Sequence, residues 1–299
     1  MEGPQAKKRS EHTGYSHTER TKQMTEYKWD VLENPVAAVA VLIILDTSFA
    51  LISLILSWFV PSIFDTLTGI AFRFIVRMTL WFLIVPFVLY LPNGRESFRD
   101  FLQSIRLTSF SPKGRLVLIT VVGASLNLGG IFVAALLYGG WTLDLSLIFD
   151  PNNPSIIYSI NPGLWEEVGW RGLILTLLLK RYSVKQAVVL NSVLFSLSHL
   201  INLLAGQPLL FMVGQLIFVF IGSLFLALLF IRTESLVPSI LVHYAVDAFS
   251  PLFLTSLLTG PAILIGGIYF LVGAAIGNMA TIACLLWMTK DLEGGEETS

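Results

Sequence analysis

Acidic and imidazole side chains inside apolar stretches are the most informative feature of this chain. His199 and His243 lie in two such stretches, Glu166 and Glu167 lie in a third, and Asp247 follows His243 by four residues. Ionisable groups within a membrane segment are costly, usually face the protein interior and by default mark a functional site. Carboxyl and imidazole groups transfer protons in general acid–base catalysis, so this set indicates hydrolysis.

The composition is that of a multi-pass membrane protein. The chain has 299 residues, of which 55% are hydrophobic and 13% are charged, and its mean hydropathy is +0.75. Soluble proteins carry about 25% charged residues. The formal net charge of −1 gives no electrostatic basis for binding nucleic acid. The single cysteine, Cys284, excludes a disulfide framework and a CxxC metal or redox motif.

Eight apolar segments are each long enough to cross a bilayer, which takes about 20 residues. The sequence therefore predicts an all-α membrane protein, a bundle of eight transmembrane helices with a cavity at mid-bilayer that holds the ionisable groups. The predicted spans are 36–60, 70–91, 115–139, 155–179, 184–204, 208–231, 235–258 and 262–288.

Polar segments precede and follow the predicted bundle in the sequence. Residues 1–34 form a tail that we expect to be disordered, residues 35–290 form the transmembrane domain with its motifs in 155–258, and residues 291–299 form a second tail. Of the 19 Lys and Arg residues, 16 lie at the termini and in alternate connecting loops. The positive-inside rule places both termini in the cytoplasm. The short loops and the plain N-terminus favour a prokaryotic plasma membrane.

One connecting loop has an amphipathic pattern. Residues 95–107 place four apolar side chains opposite their charges, which predicts an interfacial helix on the cytoplasmic surface of the membrane. The four are Phe98, Phe101, Leu102 and Ile105.

The glutamate pair lies near the middle of the fourth predicted span. Glu167 and Arg171 are four residues apart, so they share a helical face and are expected to form an ion pair. Glu166 is five residues from Arg171 and is expected to stay free of it and to serve as a general base. The Asn-Pro-Gly sequence at 161–163 is expected to break or restart this helix and leave backbone that lines a cavity.

The two histidines lie on other spans. His199 follows Phe195 by four residues, so an aromatic wall is expected beside its imidazole. His243 and Asp247 share a helical face for the same reason. Counted from the span ends, both histidines and the glutamate pair fall near mid-bilayer, which predicts that they meet. The alternative for a lone buried histidine is an interhelical hydrogen bond, worth about 0.6–2 kcal/mol.

Other polar residues within the spans favour structural roles. Asp46 is expected to pair with Arg73 or Arg77 of the neighbouring span. The amides are expected to form interhelical hydrogen bonds; they are Asn127, Asn191, Gln215 and Asn278.

Three motifs, EExxxR, FxxxH and HxxxN/D, occur in this order on separate spans. They begin at Glu166, Phe195 and His243 and read EEVGWR, FSLSH and HYAVD. Together they extend over about 80 residues and resemble the CAAX-processing and bacteriocin-processing family of intramembrane proteases, in particular its type 2-like CAAX prenyl proteases. Eight helices also match that family.

The resemblance implies roles for these residues. Glu166 and His199 would activate a water molecule, and His243 and Asp247 would bind the oxyanion. The supporting residues would be Glu167, Arg171 and Phe195.

The last motif position departs from the family members that use Asn there. A carboxylate donates no hydrogen bond unless it is protonated, so Asp247 is either neutral, or orients His243, or helps to hold a metal. Glu166, His199, His243 and Asp247 are suitable zinc ligands that would leave a position for water. The chain has no HExxH motif. We favour a glutamate mechanism without a metal and keep a divalent metal such as zinc as the alternative.

Three functions remain open on these grounds. The first is an intramembrane endopeptidase acting on a peptide or protein in the lipid bilayer; removal of the C-terminal tripeptide of a prenylated CAAX-type substrate is implied by the resemblance alone. The second is a proton-coupled transporter, because buried Glu, His and Asp also form proton relays, although no internal repeat is detected. The third is a non-catalytic membrane scaffold or immunity-type protein.

Overall fold

The computed structural model describes residues 34–60, 67–87, 97–108, 114–138, 155–249 and 263–289. These residues contain helices and turns and no strand. The helices are α1 (Pro35–Phe59), α2 (Leu67–Thr79), α3 (Phe98–Ser104), α4 (Gly114–Tyr138), α5 (Ser155–Glu166), α6 (Thr176–Leu179), α7 (Val184–Ser198), α8 (Ile201–Leu204), α9 (Leu209–Thr233), α10 (Val237–Phe249) and α11 (Ile263–Thr289). A first π-helical segment, Leu80–Ile84, follows α2, and a second, Glu167–Leu175, joins α5 to α6.

Several helices are long and apolar enough to cross a membrane. Among the described residues there are five, and α10 is a shorter apolar helix. The prediction of an all-α, multi-pass membrane bundle is confirmed, and the count of eight spans stays a prediction. The predicted tails lie outside the described residues, except for Asn34, which caps α1 through its side chain. The five helices are Pro35–Phe59, Val117–Ala134, Val184–Leu204, Phe211–Thr233 and Gly267–Met288.

The second π-segment lies in the larger of two hydrophobic cores. All nine of its residues are buried, and side chains from α1, α3, α7, α9 and the first π-segment pack around it. The smaller core is formed by α4, α9, α10 and α11. Helix α5 packs against α10, and α7 packs against α9 and the second π-segment. This packing brings together the helices that carry the predicted site residues.

The predicted helix break at 161–163 is wrong. Helix α5 continues through Pro162, which removes only one N–H donor from the helix. The glycine that follows serves close packing instead, because a Cβ atom at Gly163 would lie 3.1 Å from the backbone nitrogen of Tyr244 on α10. The departure from α-helical geometry comes later, at Glu167.

The two π-segments contact each other. A Cβ atom at Gly169 would lie 2.6 Å from the indole of Trp81, which is itself fully buried. Within the second segment, Asn191 of α7 donates its side-chain N–H to the backbone oxygen of Trp170 at 2.9 Å. The change in backbone hydrogen bonding is thus supported by a side chain from a neighbouring helix, and π-helical turns occur frequently at functional sites.

The amphipathic segment folds as α3, which begins with a capping box between Ser97 and Asp100. The hydrogen bonds from the Ser97 backbone and hydroxyl lower the pKa of the Asp100 carboxyl. Phe101 and Ile105 are buried in the larger core of the protein. The predicted helix is present, these two residues of its apolar side pack on protein, and its position at the membrane surface stays a prediction.

Helices α4 and α11 approach each other at glycines. A Cβ atom at Gly130 would meet the backbone oxygen of Gly273 and would lie 2.8 Å from the Gly277 Cα atom, whereas one at Gly129 would have nothing within 4 Å. We expect Gly130→Ala to reduce the free energy of unfolding by about 1–3 kcal/mol, as overpacking does. The matched control Gly129→Ala should not. Thermal unfolding in detergent checks this, and equal midpoints for the two variants would contradict the close approach.

Candidate active site

The predicted catalytic residues come from three parts of the fold. Glu166 is the last residue of α5, His199 follows the end of α7, and His243 and Asp247 lie one turn apart on α10. All four line one cavity of about 240 Å³. The structure therefore brings together the residues that the sequence places on separate spans.

His243 is surrounded by carboxyl groups. Its Nδ1 atom lies 2.7 Å from Glu167 Oε1. Its Nε2 atom lies 3.4 Å from Asp247 Oδ2 and 3.8 Å from Glu166 Oε2. Because a carboxylate oxygen only accepts, Nδ1 carries a proton and donates a hydrogen bond to Glu167 Oε1. The ring is thereby fixed, with Nε2 directed toward Glu166 and Asp247.

Glu167 and Arg171 form the expected ion pair, with 3.0 Å between Arg171 Nη1 and Glu167 Oε1. Both side chains are 0% exposed. The guanidinium also lies over the ring of Phe195 at 4.5 Å, a cation–π contact that gains strength when desolvated. Glu167 Oε1 is thus shared between Arg171 and His243, a contact between helices that the sequence spacing did not predict.

His199 is held by the end of its own helix. Its backbone N–H bonds to the oxygen of Ser196, so the Phe195 oxygen lacks the usual donor four residues on. The His199 Nδ1 atom lies 3.0 Å from the Phe195 oxygen. The Ser198 hydroxyl donates to the same oxygen at 2.7 Å. A carbonyl oxygen only accepts, so Nδ1 carries a proton, and in the neutral ring Nε2 keeps a lone pair. The predicted aromatic wall is also present, with 5.0 Å between the ring centroids of Phe195 and His199.

Two cavities meet at the site. The 240 Å³ cavity has mainly aromatic and aliphatic walls, so we call it the apolar cavity. A second, of about 530 Å³, has more charged and polar groups, and we call it the polar cavity. Both are lined by Glu166, His199, Gln215 and Asp247. The ionisable groups therefore lie where an apolar and a polar space join.

The polar cavity contains the expected partner of Asp46. Of the two arginines considered, Arg77 forms the ion pair with Asp46, and its guanidinium also lies 3.9 Å from the ring centroid of Trp165. Arg73 lines the same cavity, and its guanidinium lies over the ring of Tyr158. The contacts of Trp165 and Tyr158 with these arginines have no signal in the sequence spacing.

The four side chains predicted as alternative zinc ligands make contacts within the protein. No group of three or more His, Cys, Asp or Glu side chains has the arrangement of a metal site within the described ranges. Nδ1 of His199 faces the Phe195 oxygen and Nδ1 of His243 faces Glu167, so each histidine would offer only Nε2 to a metal. The zinc alternative stays a prediction, and we derive no step through a metal.

Residues 153–249 match the family model described as Type II CAAX prenyl endopeptidase Rce1-like. The matched range contains all three motifs. This part of the chain is similar to the CAAX-processing proteases. The predicted resemblance is confirmed over these residues, and the match supports a CAAX-type intramembrane endopeptidase in general terms, with a peptide or protein substrate in the membrane. Comparison with curated proteins gives no match, and neither does comparison with solved structures.

The buried ion pair generates a stability prediction. Arg171→Met removes the guanidinium from the buried Glu167 carboxylate and leaves it only the contact with His243, and breaking a buried pair in this way costs about 3–5 kcal/mol. The double variant Glu167→Leu/Arg171→Met removes both charges and should unfold at a higher temperature than Arg171→Met. Thermal unfolding in detergent provides the measurement. If Arg171→Met were as stable as the wild type, the pair would not hold the site together.

Proposed function

We propose that this protease hydrolyses a peptide bond with a water molecule held between Glu166 and His199, and that it removes the C-terminal tripeptide of a prenylated CAAX-type substrate. The observation that carries the proposal is the presence of both side chains at the junction of the apolar and polar cavities. Among the contacts of the described residues, none joins Glu166 directly to His199. A water molecule or the reacting group can therefore occupy the space that both side chains face.

In the proposed reaction the carboxylate of Glu166 removes a proton from the water. The Nε2 lone pair of His199 accepts a hydrogen bond from the same water and orients it, because Nδ1 already donates to the Phe195 oxygen. The hydroxide oxygen bonds to the carbonyl carbon, and the carbonyl oxygen becomes an oxyanion. Glu166 then returns the proton to the leaving nitrogen as the C–N bond breaks.

His243 is proposed to stabilise the oxyanion. Glu167 fixes the ring through Nδ1, and Nε2 faces the carboxyl groups of Asp247 and Glu166. A lone pair on Nε2 would repel carboxylate oxygens at these distances, so we place a proton there. An imidazolium in this position presents a positive charge where negative charge develops. Of the three roles considered for Asp247, its contact with His243 supports the orienting role.

The two cavities suggest how the substrate lies. A scissile bond at Glu166 would have one part of the chain in each cavity. The apolar cavity suits the prenylated cysteine, since a hydrocarbon group gains by leaving water. The polar cavity suits the C-terminal tripeptide, because Arg73 and Arg77 supply positive charge for its carboxylate, although Asp46 offsets part of it.

The orientation in the membrane is also proposed. The distribution of Lys and Arg supports both termini on the cytoplasmic side. A prokaryotic plasma membrane is our proposed location, on the basis of the short loops.

We expect Glu166→Gln to lower kcat by about 10²–10⁴-fold, the usual contribution of a positioned acid–base group. The assay is cleavage of a farnesylated CAAX peptide by detergent-purified protein, with and without a chelator. Glu234→Gln, at an exposed turn after α9, is the matched carboxylate control and should retain full activity.

Loss of activity in the chelator sample would contradict the metal-independent mechanism. Full activity of Glu166→Gln would contradict the assignment of the base and favour a non-catalytic scaffold.

Substitutions of Asp247 distinguish its roles. If it orients His243, Asp247→Asn keeps an oxygen that accepts from Nε2 and should retain activity within about tenfold, while Asp247→Leu should lose about 10²–10³-fold. Initial rates on the same peptide provide the measurement. Equal losses in the two variants would show that the negative charge itself is required, as for a metal ligand.

A further inference from the structure

Two buried amides in the wall of the apolar cavity have no role in the proposed chemistry. Asn127 of α4 donates its side-chain N–H to Asn278 Oδ1 of α11 at 2.5 Å. Both residues are 2% exposed, and both line the cavity that Glu166 and His243 line. The pair is therefore connected to the site through the cavity.

The pairing leaves two polar atoms without a hydrogen-bond partner. Within the part of the chain that the structure describes, these are Asn127 Oδ1 and Asn278 Nδ2. Reversing both amides gives the same result, since one paired N–H and one paired oxygen always leave one oxygen and one NH₂ group. Ser223 Oγ, 1% exposed in the wall of the same cavity, also has none. Buried polar atoms are nearly always satisfied, so these exceptions need an explanation.

The hydrogen bond between the amides joins α4 to α11, but it uses only one N–H and one oxygen and does not explain the two remaining atoms. Thr281 lies at the same pair of helices with its hydroxyl satisfied, because it donates to the Gly277 oxygen of its own helix at 2.6 Å and lies 3.3 Å from the Gly123 oxygen of α4. Both amides line the mainly apolar cavity, and between them they hold a donor and an acceptor that no described protein group satisfies.

A neighbouring donor and acceptor can be satisfied by water or by a ligand that carries both an acceptor and a donor. A hydrocarbon chain satisfies neither atom, and a carboxylate would satisfy the donor but face the acceptor oxygen. One residue of an extended peptide presents its N–H and its C=O on the same side and satisfies both. We propose that Asn127 and Asn278 bind the backbone of the substrate in the apolar cavity, at the residue that precedes the prenylated cysteine. This inference rests on the proposed function, and it makes the amide pair a peptide-backbone subsite.

The experiment compares two farnesylated CAAX peptides. In one, the peptide bond that precedes the residue before the cysteine is replaced by an ester, which removes the N–H donor of that residue. For the wild type we expect the ester to raise KM about tenfold, the equivalent of one hydrogen bond of about 1.4 kcal/mol, with kcat little changed. In the double variant Asn127→Leu/Asn278→Leu, the KM of the amide peptide should already be about as high as the KM of the ester peptide with the wild type. Replacing the amide by the ester should then cause no further increase in KM.

The matched control is Thr281→Val, which removes a polar contact from the same pair of helices without facing the cavity. With Thr281→Val, the ester peptide should raise KM about tenfold, as it does with the wild type. If the double leucine variant also kept that effect, the amide pair would be structural only and the inference would be overturned.

Binding of the labelled peptides to Glu166→Gln separates this inference from the proposed function. If the wild type cleaved neither peptide, while Glu166→Gln bound the amide peptide about tenfold more tightly than the ester, the subsite would stand and the proposed reaction would fail. If the protein neither cleaved nor bound the peptides, both would be overturned.

Discussion

The site depends on one buried oxygen atom, Glu167 Oε1. It lies 3.0 Å from the guanidinium of Arg171 and 2.7 Å from Nδ1 of His243. A carboxylate removed from water needs such partners, since burying an isolated charge is very unfavourable. Because Arg171 comes from the same helix and His243 from another, the carboxylate links the second π-segment to α10. The remaining contacts of that segment, with Trp81 and Asn191, keep the carboxylate in place.

Each histidine has its ring oriented by a contact that its Nδ1 atom makes with another protein group. The carboxylate of Glu167 directs Nδ1 of His243, and a backbone oxygen released at the end of α7 directs Nδ1 of His199. In each case Nε2 is the nitrogen left over. A charged partner favours an imidazolium and a carbonyl partner favours a neutral ring. The two residues can therefore differ in function although their side chains are identical.

The sequence predicted contacts within a helix better than contacts between helices. Glu167 with Arg171, Phe195 with His199 and His243 with Asp247 all follow from a spacing of four residues. The contact between Glu167 and His243 depends on how two helices are rotated and on the π-helical turn, and neither has a signal in single-residue spacing. The pairing of Asp46 was predicted only to within two arginines for the same reason.

Other failures have different physical causes. The Asn-Pro-Gly sequence was expected to break α5, but the helix continues through Pro162, and Gly163 lies close to α10. The apolar stripe of α3 predicted an interfacial helix, but such a stripe fits a protein neighbour equally well, and Phe101 and Ile105 are buried in the core. Composition and motif order were sufficient for the membrane class and the family, because neither depends on the packing of particular side chains.

The position of the charges along the chain also bears on how the protein enters the membrane. The segment 155–179 is not among the five described helices whose length and apolar character suffice for a span. It carries Glu166, Glu167 and Arg171, and each charge at the centre of an inserting helix costs about 2.5–3.5 kcal/mol. His243 lies 76 residues after Glu167 in the chain. It is therefore not yet synthesised when the segment 155–179 emerges from the ribosome. Arg171 is available at once, so during biogenesis the segment presents a single uncompensated carboxylate to the insertion machinery in place of three separate charges.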